Sequence, residues 1–292
     1  MEIVPIALDK NSYTELMLFK DFYKSVFAIL AVREPGVAKV VGTGFVIKAH
    51  PLRILTCNHV VGEGTTENNG VVRYSITKRS DNFEDFDLRQ VEVSFLRATR
   101  ITHKPEFDLA ILDIDPSENE EIARKLGVEN IAALELSFSP VDRQLGADVE
   151  WLSTAASGDL TLTPRFFRGN IVSRYVNNHR YQFINSQQVD APQTITGATL
   201  MEVDKLFIPG SSGSPILNSN SDKVIGYVHG FRSWPIQTGT EINQQVELTE
   251  ENTSKIVSLK QKLPLITSLS LGIDVQTIES YLRETDLLGP TS

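Results

Sequence analysis

The chain has 292 residues, of which 41% are hydrophobic and 22% are charged, and its net charge at pH 7 is −9. This length and composition are ordinary for a globular protein and allow one large domain or two small ones. The acidic balance, without a cluster of Lys or Arg, argues against a nucleic-acid or anionic-membrane partner, and no run approaches the roughly 18 apolar residues of a membrane span.

Cysteine content and the first residues of the chain bear on the compartment. The single cysteine, Cys57, cannot form an internal disulfide, which fits a reducing compartment. The start, Met1–Pro5, lacks the basic end and the apolar stretch of a signal peptide. We therefore expect a cytoplasmic protein.

A short N-terminal helix is predicted over residues 11–24, because Leu16, Phe19 and Tyr23 recur at helical spacing between polar residues. After it, short β-branched and apolar runs separated by turn residues indicate a series of strands. These runs cover 26–32, 39–47, 53–61, 71–77, 90–98 and 108–114. The acidic segment 115–129 is expected to contain a short helix.

The second half of the chain has the same texture without a sequence repeat. Strands are predicted over 146–154, 167–176, 181–187, 198–203, 214–218 and 223–231. Residues 232–264 break the pattern because they are polar, and 249–262 look helical, with Pro264 as a stop. Strand character returns at 266–273, and a final helix follows from Asp274, whose carboxylate could cap it. The buried stripe of that helix would consist of Val275, Ile278, Tyr281 and Leu282.

Three segments supply the residue types of nucleophilic catalysis. Ser212 lies in Gly-Ser-Ser-Gly-Ser-Pro, where small neighbours let backbone N–H groups converge near an exposed hydroxyl. His59 follows an apolar run in Thr-Cys-Asn-His-Val-Val, and Asp108 begins Asp-Leu-Ala-Ile-Leu. A serine nucleophile needs a base, and the base needs an orienting carboxylate. The order His, Asp, Ser, with separations of 49 and 104 residues, differs from that of subtilisin-like proteases and of α/β-hydrolases.

These segments match the patterns T-x-x-H, D-[LI]-A and G-x-S-G-[GS]-P and resemble the landmark segments of the chymotrypsin/trypsin-like serine peptidases. Gly-Thr-Gly-Phe-Val-Ile (42–47) and Gly-Ser-Ser-Gly-Ser-Pro-Ile-Leu-Asn (210–218) look especially like the bacterial HtrA-type and glutamyl-endopeptidase-type branches. The resemblance covers roughly residues 25–285.

The resemblance implies an all-β fold of two six-stranded antiparallel barrels. A helical lead-in would occupy 1–25, the first barrel 26–130 with His59 and Asp108, and the second barrel 131–292 with Ser212. The segment 232–264 would be an insertion in the second barrel near the substrate entrance, and a C-terminal helix would cover 275–286.

A role for each site residue follows from the same resemblance. Ser212 would attack the peptide carbonyl, His59 would take its proton and pass it to the leaving amine, and Asp108 would orient the imidazole. The N–H groups of Gly210 and Ser212 would form the oxyanion hole. No cofactor is expected, and no metal, since no His/Cys/Asp grouping has zinc-ligand spacing. Structural roles are expected for Cys57 as a small buried residue and for His50, His103, His179 and His229.

Departures from the family pattern limit activation and specificity. Trypsin-like zymogens carry an Asp immediately before the nucleophile to pair with a newly cut N-terminus, and Ser211 occupies that position here. Trypsin carries a second Asp six residues before the nucleophile to bind Lys or Arg, and Leu206 stands there. We therefore expect neither activation by that ion pair nor cleavage after basic residues.

Glutamyl endopeptidases bind the acidic side chain with a His in the strand after the nucleophile loop. Their position corresponds to Val228, and His229 comes one residue late. A one-residue offset turns a side chain to the other face of a strand, so glutamate specificity would require a bulge there. A pocket for small or apolar side chains is expected instead, with Leu206, Val228, His229, Gly230 and Gly272 as its candidate lining.

The sequence thus predicts a serine endopeptidase that acts on protein or peptide substrates through an acyl-enzyme intermediate. The alternative is a latent or inactive protease fold that serves as a peptide-binding or scaffold module. A further hypothesis is that the protein is a bacterial cytoplasmic protease without a PDZ-like extension. A partner protein or the insertion 232–264 would then control it.

Overall fold

The computed structural model of the protein describes residues 22–34, 37–62, 73–77, 95–153, 165–176, 197–205, 207–208, 210–236, 241–250, 253–262 and 265–287. Within these ranges the chain forms fourteen strands and several short helices. The predicted N-terminal helix lies mostly outside them, although residues 22–24 are helical and Tyr23 is buried. The predicted strand over 181–187 lies wholly outside them.

The first half of the chain closes into an antiparallel barrel of six strands. Their bounds are β1 Val26–Glu34, β2 Val37–Lys48, β3 Leu52–Cys57, β4 Arg73–Thr77, β5 Leu96–Lys104 and β6 Leu109–Ile114. They pair in the order β1-β2-β3-β6-β5-β4, and β4 returns to β1, so that no strand edge of the sheet stays open. The apolar runs of β3 and β6 are almost entirely buried because they line the interior and the contact with the second barrel.

The second half forms a second closed barrel. Its strands are β7 Asp148–Ser153, β8 Arg165–Val176, β9 Thr199–Val203, β10 Pro215–Asn218, β11 Val224–Ile236 and β14 Leu265–Asp274, in the order β10-β11-β14-β9-β8-β7. Trp151 is buried in the core of this barrel. The centroid of its ring lies 5.4 Å from that of Phe167 and 4.8 Å from that of Phe207. The predicted chymotrypsin-like pair of six-stranded barrels is therefore confirmed.

The segment between β11 and β14 differs from the prediction. The helix predicted over 249–262 is wrong, because this stretch contributes to a separate two-stranded antiparallel sheet of β12 (Glu241–Glu250) and β13 (Thr253–Lys262). The ladder pairs Glu241 with Lys262 at one end and Glu250 with Thr253 at the other. The second strand carries adjacent β-branched residues, Ile256 and Val257, which favour extended backbone.

Two of the other predicted short helices are present. The linker between the barrels contains a 3₁₀ turn, Pro116–Asn119, followed by the helix Glu120–Lys125. At the C-terminus a 3₁₀ turn, Val275–Ile278, leads into the helix Glu279–Glu284. Within the described ranges, no helix is both long enough and apolar enough to cross a membrane.

Asp274 joins this C-terminal element to the second barrel. Its carboxylate accepts a hydrogen bond of 2.9 Å from the Gln276 N–H, which is the predicted cap. The same fully buried carboxylate pairs with the guanidinium groups of Arg143, at 2.9 Å, and Arg174, at 2.5 Å. Arg143 is itself fully buried, so this carboxylate is the charge that makes the burial of Arg143 tolerable.

Candidate active site

His59 lies where β3 ends at the interface between the barrels. After Cys57 the chain turns into the single helical turn Asn58–Val61, which holds the imidazole beside Asp108. The N–H of His59 donates to Asp108 Oδ1 at 2.8 Å, and the N–H of Asn58 donates to the Asp108 carbonyl at 2.9 Å. The backbone of the histidine segment is therefore tied to the aspartate on both its side chain and its main chain.

Asp108 occupies a turn between the 3₁₀ segment Pro105–Phe107 and β6. Its backbone is left-handed, with φ of 50°, which Asp tolerates better than most residues. The turn is braced from the second barrel, because the buried Tyr227 hydroxyl donates to the Phe107 carbonyl at 2.7 Å. The carboxylate is fully buried and accepts a 2.6 Å hydrogen bond from His59 Nδ1 at Oδ2.

The electrostatics of this pair suit a base and its orienting anion. Burial alone would raise the pKa of the Asp108 carboxyl, but the charges and hydrogen bonds of His59 and His229 outweigh it and hold that pKa well below its usual range. Burial likewise opposes the charged form of His59, yet the attraction and hydrogen bond of Asp108 prevail and raise the pKa of its imidazole. Asp108 is therefore an anion at neutral pH, and His59 is a stronger base than a free histidine.

Ser212 lies in a tight turn before β10. Gly210 and Gly213 flank the turn with φ of 93° and 85°, a backbone region that favours glycine. A Cβ at Gly213 would lie 2.1 Å from the Thr43 carbonyl oxygen, so only glycine fits. Ser211 and Ser214 are fully buried, whereas Ser212 is partly exposed, so Ser212 is the serine of this loop that can meet a substrate.

The backbone of this loop leaves two N–H groups available. In the described part of the chain, the N–H groups of Gly210 and Ser212 donate to no carbonyl, whereas those of Ser211 and Gly213 do. The carbonyls of Gly210 and Ser212 face β2, where the Thr43 hydroxyl (2.9 Å) and N–H (2.8 Å) donate to them. The two N–H groups predicted to form the oxyanion hole are therefore available to a ligand, and hydrogen bonds from the first barrel hold their loop in place.

The hydroxyl of Ser212 makes its hydrogen bond to a main-chain oxygen and not to the His59 imidazole. Its hydrogen bond, long at 3.4 Å, goes to the carbonyl oxygen of His229, and none of the hydrogen bonds of the described residues joins it to His59. Of the three predicted catalytic residues, only His59 and Asp108 share a hydrogen bond among the described residues, and the Ser212 hydroxyl is linked to them through His229.

The structure also brings to Asp108 a residue outside the predicted triad, His229. A register shift between Val228 and Gly230 in the β11–β14 ladder creates the bulge that glutamate specificity would require. The bulge turns the imidazole onto Asp108, where Nδ1 lies 2.5 Å from Oδ2 and the residue is only 4% exposed. In the sequence, the one-residue offset of His229 from the Val228 position is the only indication of a bulge here. The offset does not predict the direction in which a bulged side chain points.

The other residues of the predicted specificity pocket lie as follows. Val228 is buried in the core of the second barrel, and a Cβ at Gly272 would lie 2.4 Å from Ile216 Cδ1, so Gly272 also faces packed side chains. Gly230 pairs with Leu271 beyond the bulge. Leu206 lies outside the described residues, and the pocket therefore stays a prediction.

Cys57 and the two histidines meet at Asp108 in a way that their spacing did not predict. Donor atoms of Cys57, His59, Asp108 and His229 lie within 4.8 Å of one another. Tetrahedral zinc with bonds of about 2 Å would hold its nitrogen and oxygen ligands about 3.3 Å apart. The separations of 2.6 and 2.5 Å from Asp108 Oδ2 are instead those of hydrogen bonds. Burial first, and then Asp108, raise the pKa of the Cys57 thiol, which donates to the Val228 carbonyl at 3.1 Å.

Comparison with known proteins agrees with this geometry. Residues 42–226 match the model of a protein family described as trypsin-like peptidase domain. A curated relative, the pro-apoptotic serine protease NMA111 of Vanderwaltozyma polyspora, is 29% identical over 184 residues. That alignment covers 61% of this chain but only 14% of the relative, so the chain corresponds to a small part of that longer protein.

Solved structures share the fold at lower identity. The active form of the Rv3671c protease of M. tuberculosis aligns with a TM-score of 0.54 and 17% identity, over 100% of this chain and 92% of that one. The HtrA-type protease AlgW with a decapeptide aligns with a TM-score of 0.52 and 13% identity, over 91% and 66% of the two chains. At these identities the likeness concerns the arrangement of the barrels.

Proposed function

Because the chain belongs to the trypsin-like serine peptidases, we propose that it is an endopeptidase that cleaves protein substrates through Ser212, His59 and Asp108. The observation that carries the proposal is the buried Asp108 carboxylate, which holds His59 Nδ1 at 2.6 Å beside the loop of a partly exposed Ser212. This is the arrangement in which an imidazole can accept a proton from a serine hydroxyl.

Each residue has a defined step in the proposed reaction. Ser212 Oγ forms a bond to the peptide carbonyl carbon while His59 Nε2 takes the hydroxyl proton. The N–H groups of Gly210 and Ser212 donate to the oxyanion that results, and loss of one such donor typically lowers kcat by about 10²–10³. The tetrahedral adduct then breaks its C–N bond, and the amine leaves with the proton from His59. A water molecule, deprotonated by His59, then adds to the acyl carbonyl carbon. The C–O bond to Ser212 breaks, and Ser212 Oγ recovers the proton from His59.

Asp108 stays ionised during both steps. It orients the imidazole so that Nε2 faces the nucleophile, and it stabilises the imidazolium that forms. The low pKa of its carboxyl, a consequence of the two imidazoles, supports this role.

A second candidate is favoured by the resting position of the nucleophile. The Ser212 hydroxyl donates to the His229 carbonyl at 3.4 Å, and it must rotate toward His59 before it can react. Catalytic hydrogen bonds are often long before substrate binds, so the position is compatible with an active enzyme. It also suits a latent protease whose Ser212 hydroxyl is brought into hydrogen-bonding position by a partner protein or by the β12–β13 hairpin.

Labelling with a fluorophosphonate probe separates the two candidates. Intact mass should show one adduct on the wild-type protein and none on Ser212→Ala. The control Ser139→Ala should also carry one adduct, because Ser139 is exposed and distant from Ser212 in the sequence. Labelling of wild type supports the endopeptidase. A wild-type protein that is folded yet unlabelled refutes an active resting enzyme and supports latency.

Substrate preference is proposed from the departures at the pocket. Leu206 replaces the Asp that binds basic side chains, and the His229 imidazole is engaged by Asp108. We therefore expect cleavage after small or apolar residues, which a mixture of peptides analysed by mass spectrometry would reveal. Dominant cleavage after Lys, Arg or Glu would contradict this preference.

A further inference from the structure

The bulge in β11 brings a second imidazole to the catalytic aspartate. The ladder with β14 pairs Val228 with Gly272 and then Gly230 with Leu271, which leaves His229 as the extra residue. Its side chain is turned inward and is only 4% exposed, so it meets the interface between the barrels and not solvent. In a strand of regular register, this side chain would lie on the face opposite that of its two neighbours. The bulge adds a local twist and changes the direction of the side chain.

Asp108 Oδ2 is shared between the two imidazoles. His59 Nδ1 approaches it at 2.6 Å and His229 Nδ1 at 2.5 Å, while Oδ1 accepts the His59 N–H at 2.8 Å. The two rings meet edge to face with centroids 5.6 Å apart. Both imidazoles therefore act on one oxygen from different directions.

His229 also touches the nucleophile through its main chain. Its carbonyl accepts the long hydrogen bond from Ser212, while its side chain holds the carboxylate that orients the base. Side-chain substitutions at this position change the second contact and leave the carbonyl in place. The two contacts can therefore be tested separately.

From this geometry, and on the basis of the proposed function, we propose that His229 is a positioning residue that acts through Asp108 to orient His59 and set its strength as a base. Donation of the His229 N–H draws electron density from Oδ2, so the carboxylate attracts the His59 imidazolium less strongly than it would alone. The hydrogen bond also fixes the rotation of the carboxylate and therefore the plane of the His59 ring.

The surroundings isolate this effect. In the described part of the chain, the titratable groups gathered at this point are Cys57 at the end of β3, His59, Asp108 and His229 itself. Tyr227, on the same strand, directs its hydroxyl to the Phe107 carbonyl. Asp108 is the one carboxylate in the group, so removal of the His229 donor acts first on Asp108 and through it on His59.

The test compares substitutions with and without a donor. His229→Phe keeps a ring in the buried site but removes the N–H, whereas His229→Asn keeps an N–H near the position of Nδ1. Hydrogen bonds to charged groups are among the stronger ones, so we expect kcat of His229→Phe to fall roughly 10- to 100-fold with little change in KM. The acid limb of its pH profile should move to higher pH, because His59 becomes a stronger base. His229→Asn should restore most of the rate and the wild-type profile.

A measurement that does not need turnover completes the test. The imidazole signals of His59 are titrated by NMR in a Ser212→Ala background, with single His replacements assigning the five histidines. We expect the His59 titration to shift upward in His229→Phe and to stay unchanged in His229→Asn and in the exposed control His103→Phe. A folded His229→Phe protein with an unshifted His59 titration would overturn the proposal. A shifted titration, together with a folded wild-type protein that the fluorophosphonate fails to label, would reject the proposed active resting enzyme and leave the role of His229 standing.

Discussion

Replacement of Gly213 by Ala tests whether the nucleophile loop is held by close contact with the first barrel. At φ of 85° a Cβ is strained in any surroundings, and at Gly213 it would also lie 2.1 Å from the Thr43 carbonyl oxygen and 2.4 Å from Thr56 Oγ1. Gly146 offers a matched control, because its φ is 81° and a Cβ there would meet nothing within 4 Å. The two alanines share the backbone strain, and only one of them collides.

The magnitude follows from this comparison. A non-glycine residue in the left-handed region costs about 1–2 kcal/mol, and we expect Gly146→Ala to lose no more than that in free energy of unfolding. Gly213→Ala adds the displacement of Thr43, whose N–H and hydroxyl hold the carbonyls of Ser212 and Gly210 at 2.8 and 2.9 Å. Loss of the oxyanion geometry alone lowers kcat by about 10²–10³, so we expect at least about a 100-fold slower reaction.

Two measurements on the same proteins check this expectation. The second-order rate of fluorophosphonate labelling reports the nucleophile, and urea unfolding in a Ser212→Ala background reports stability without self-cleavage. Gly146→Ala should label at the wild-type rate. A Gly213→Ala protein that labels at the wild-type rate and is no less stable than Gly146→Ala would refute the idea that the contact with Thr43 holds the loop.

Other predictions concern the buried charges and the titration of the site. Asp274→Asn should lower the free energy of unfolding by about 3–5 kcal/mol, because it leaves Arg143 buried without an anion, whereas Asp286→Asn at an exposed pair should change little, as measured by urea unfolding. Activity should fall as pH drops through a His59 pKa above the ordinary value of about 6.5, and a midpoint in kcat/KM well below that value would contradict the raised pKa. Since this pKa is higher in the folded than in the unfolded protein, the stabilisation from His59 is complete below about pH 6.5 and is lost as pH rises through the folded value. Cys57 should resist thiol reagents in the native protein and react once urea unfolds it, and rapid native labelling would contradict its burial and raised pKa.

Features that depend on local chemistry were predictable from the sequence. Asp274 was predicted to cap the C-terminal helix, and its carboxylate accepts from the Gln276 N–H. Apolar runs separated by turn residues marked most strands, including β6 at the position of the Asp-Leu-Ala segment. The glycine after Ser212 was part of the motif, and the structure supplies its reason in the 2.1 Å approach of the Thr43 carbonyl.

Features that depend on pairing across the fold were not predictable. The spacing of Ile256 and Leu259 fits one face of a helix, whereas the spacing of Val257 and Leu259 fits one face of a strand. The segment is a strand because it pairs with β12. His229 illustrates the same limit, because a bulge is a mismatch between two strands that one strand cannot reveal. The position of this imidazole on Asp108 needed the register of β14, which lies some forty residues further along the chain.

The bonds that cross between the barrels bear on how the chain is made. Thr43 of the first barrel holds the Ser212 loop of the second, and Tyr227 of the second barrel braces the turn of Asp108 in the first. Synthesis delivers the first barrel earlier, at a stage when its His59 and Asp108 have no nucleophile to serve. A growing or half-folded chain therefore has no assembled candidate centre. If the proposed endopeptidase activity is correct, it arises only when both barrels have docked, and correct folding itself keeps an unfinished chain from cleaving proteins.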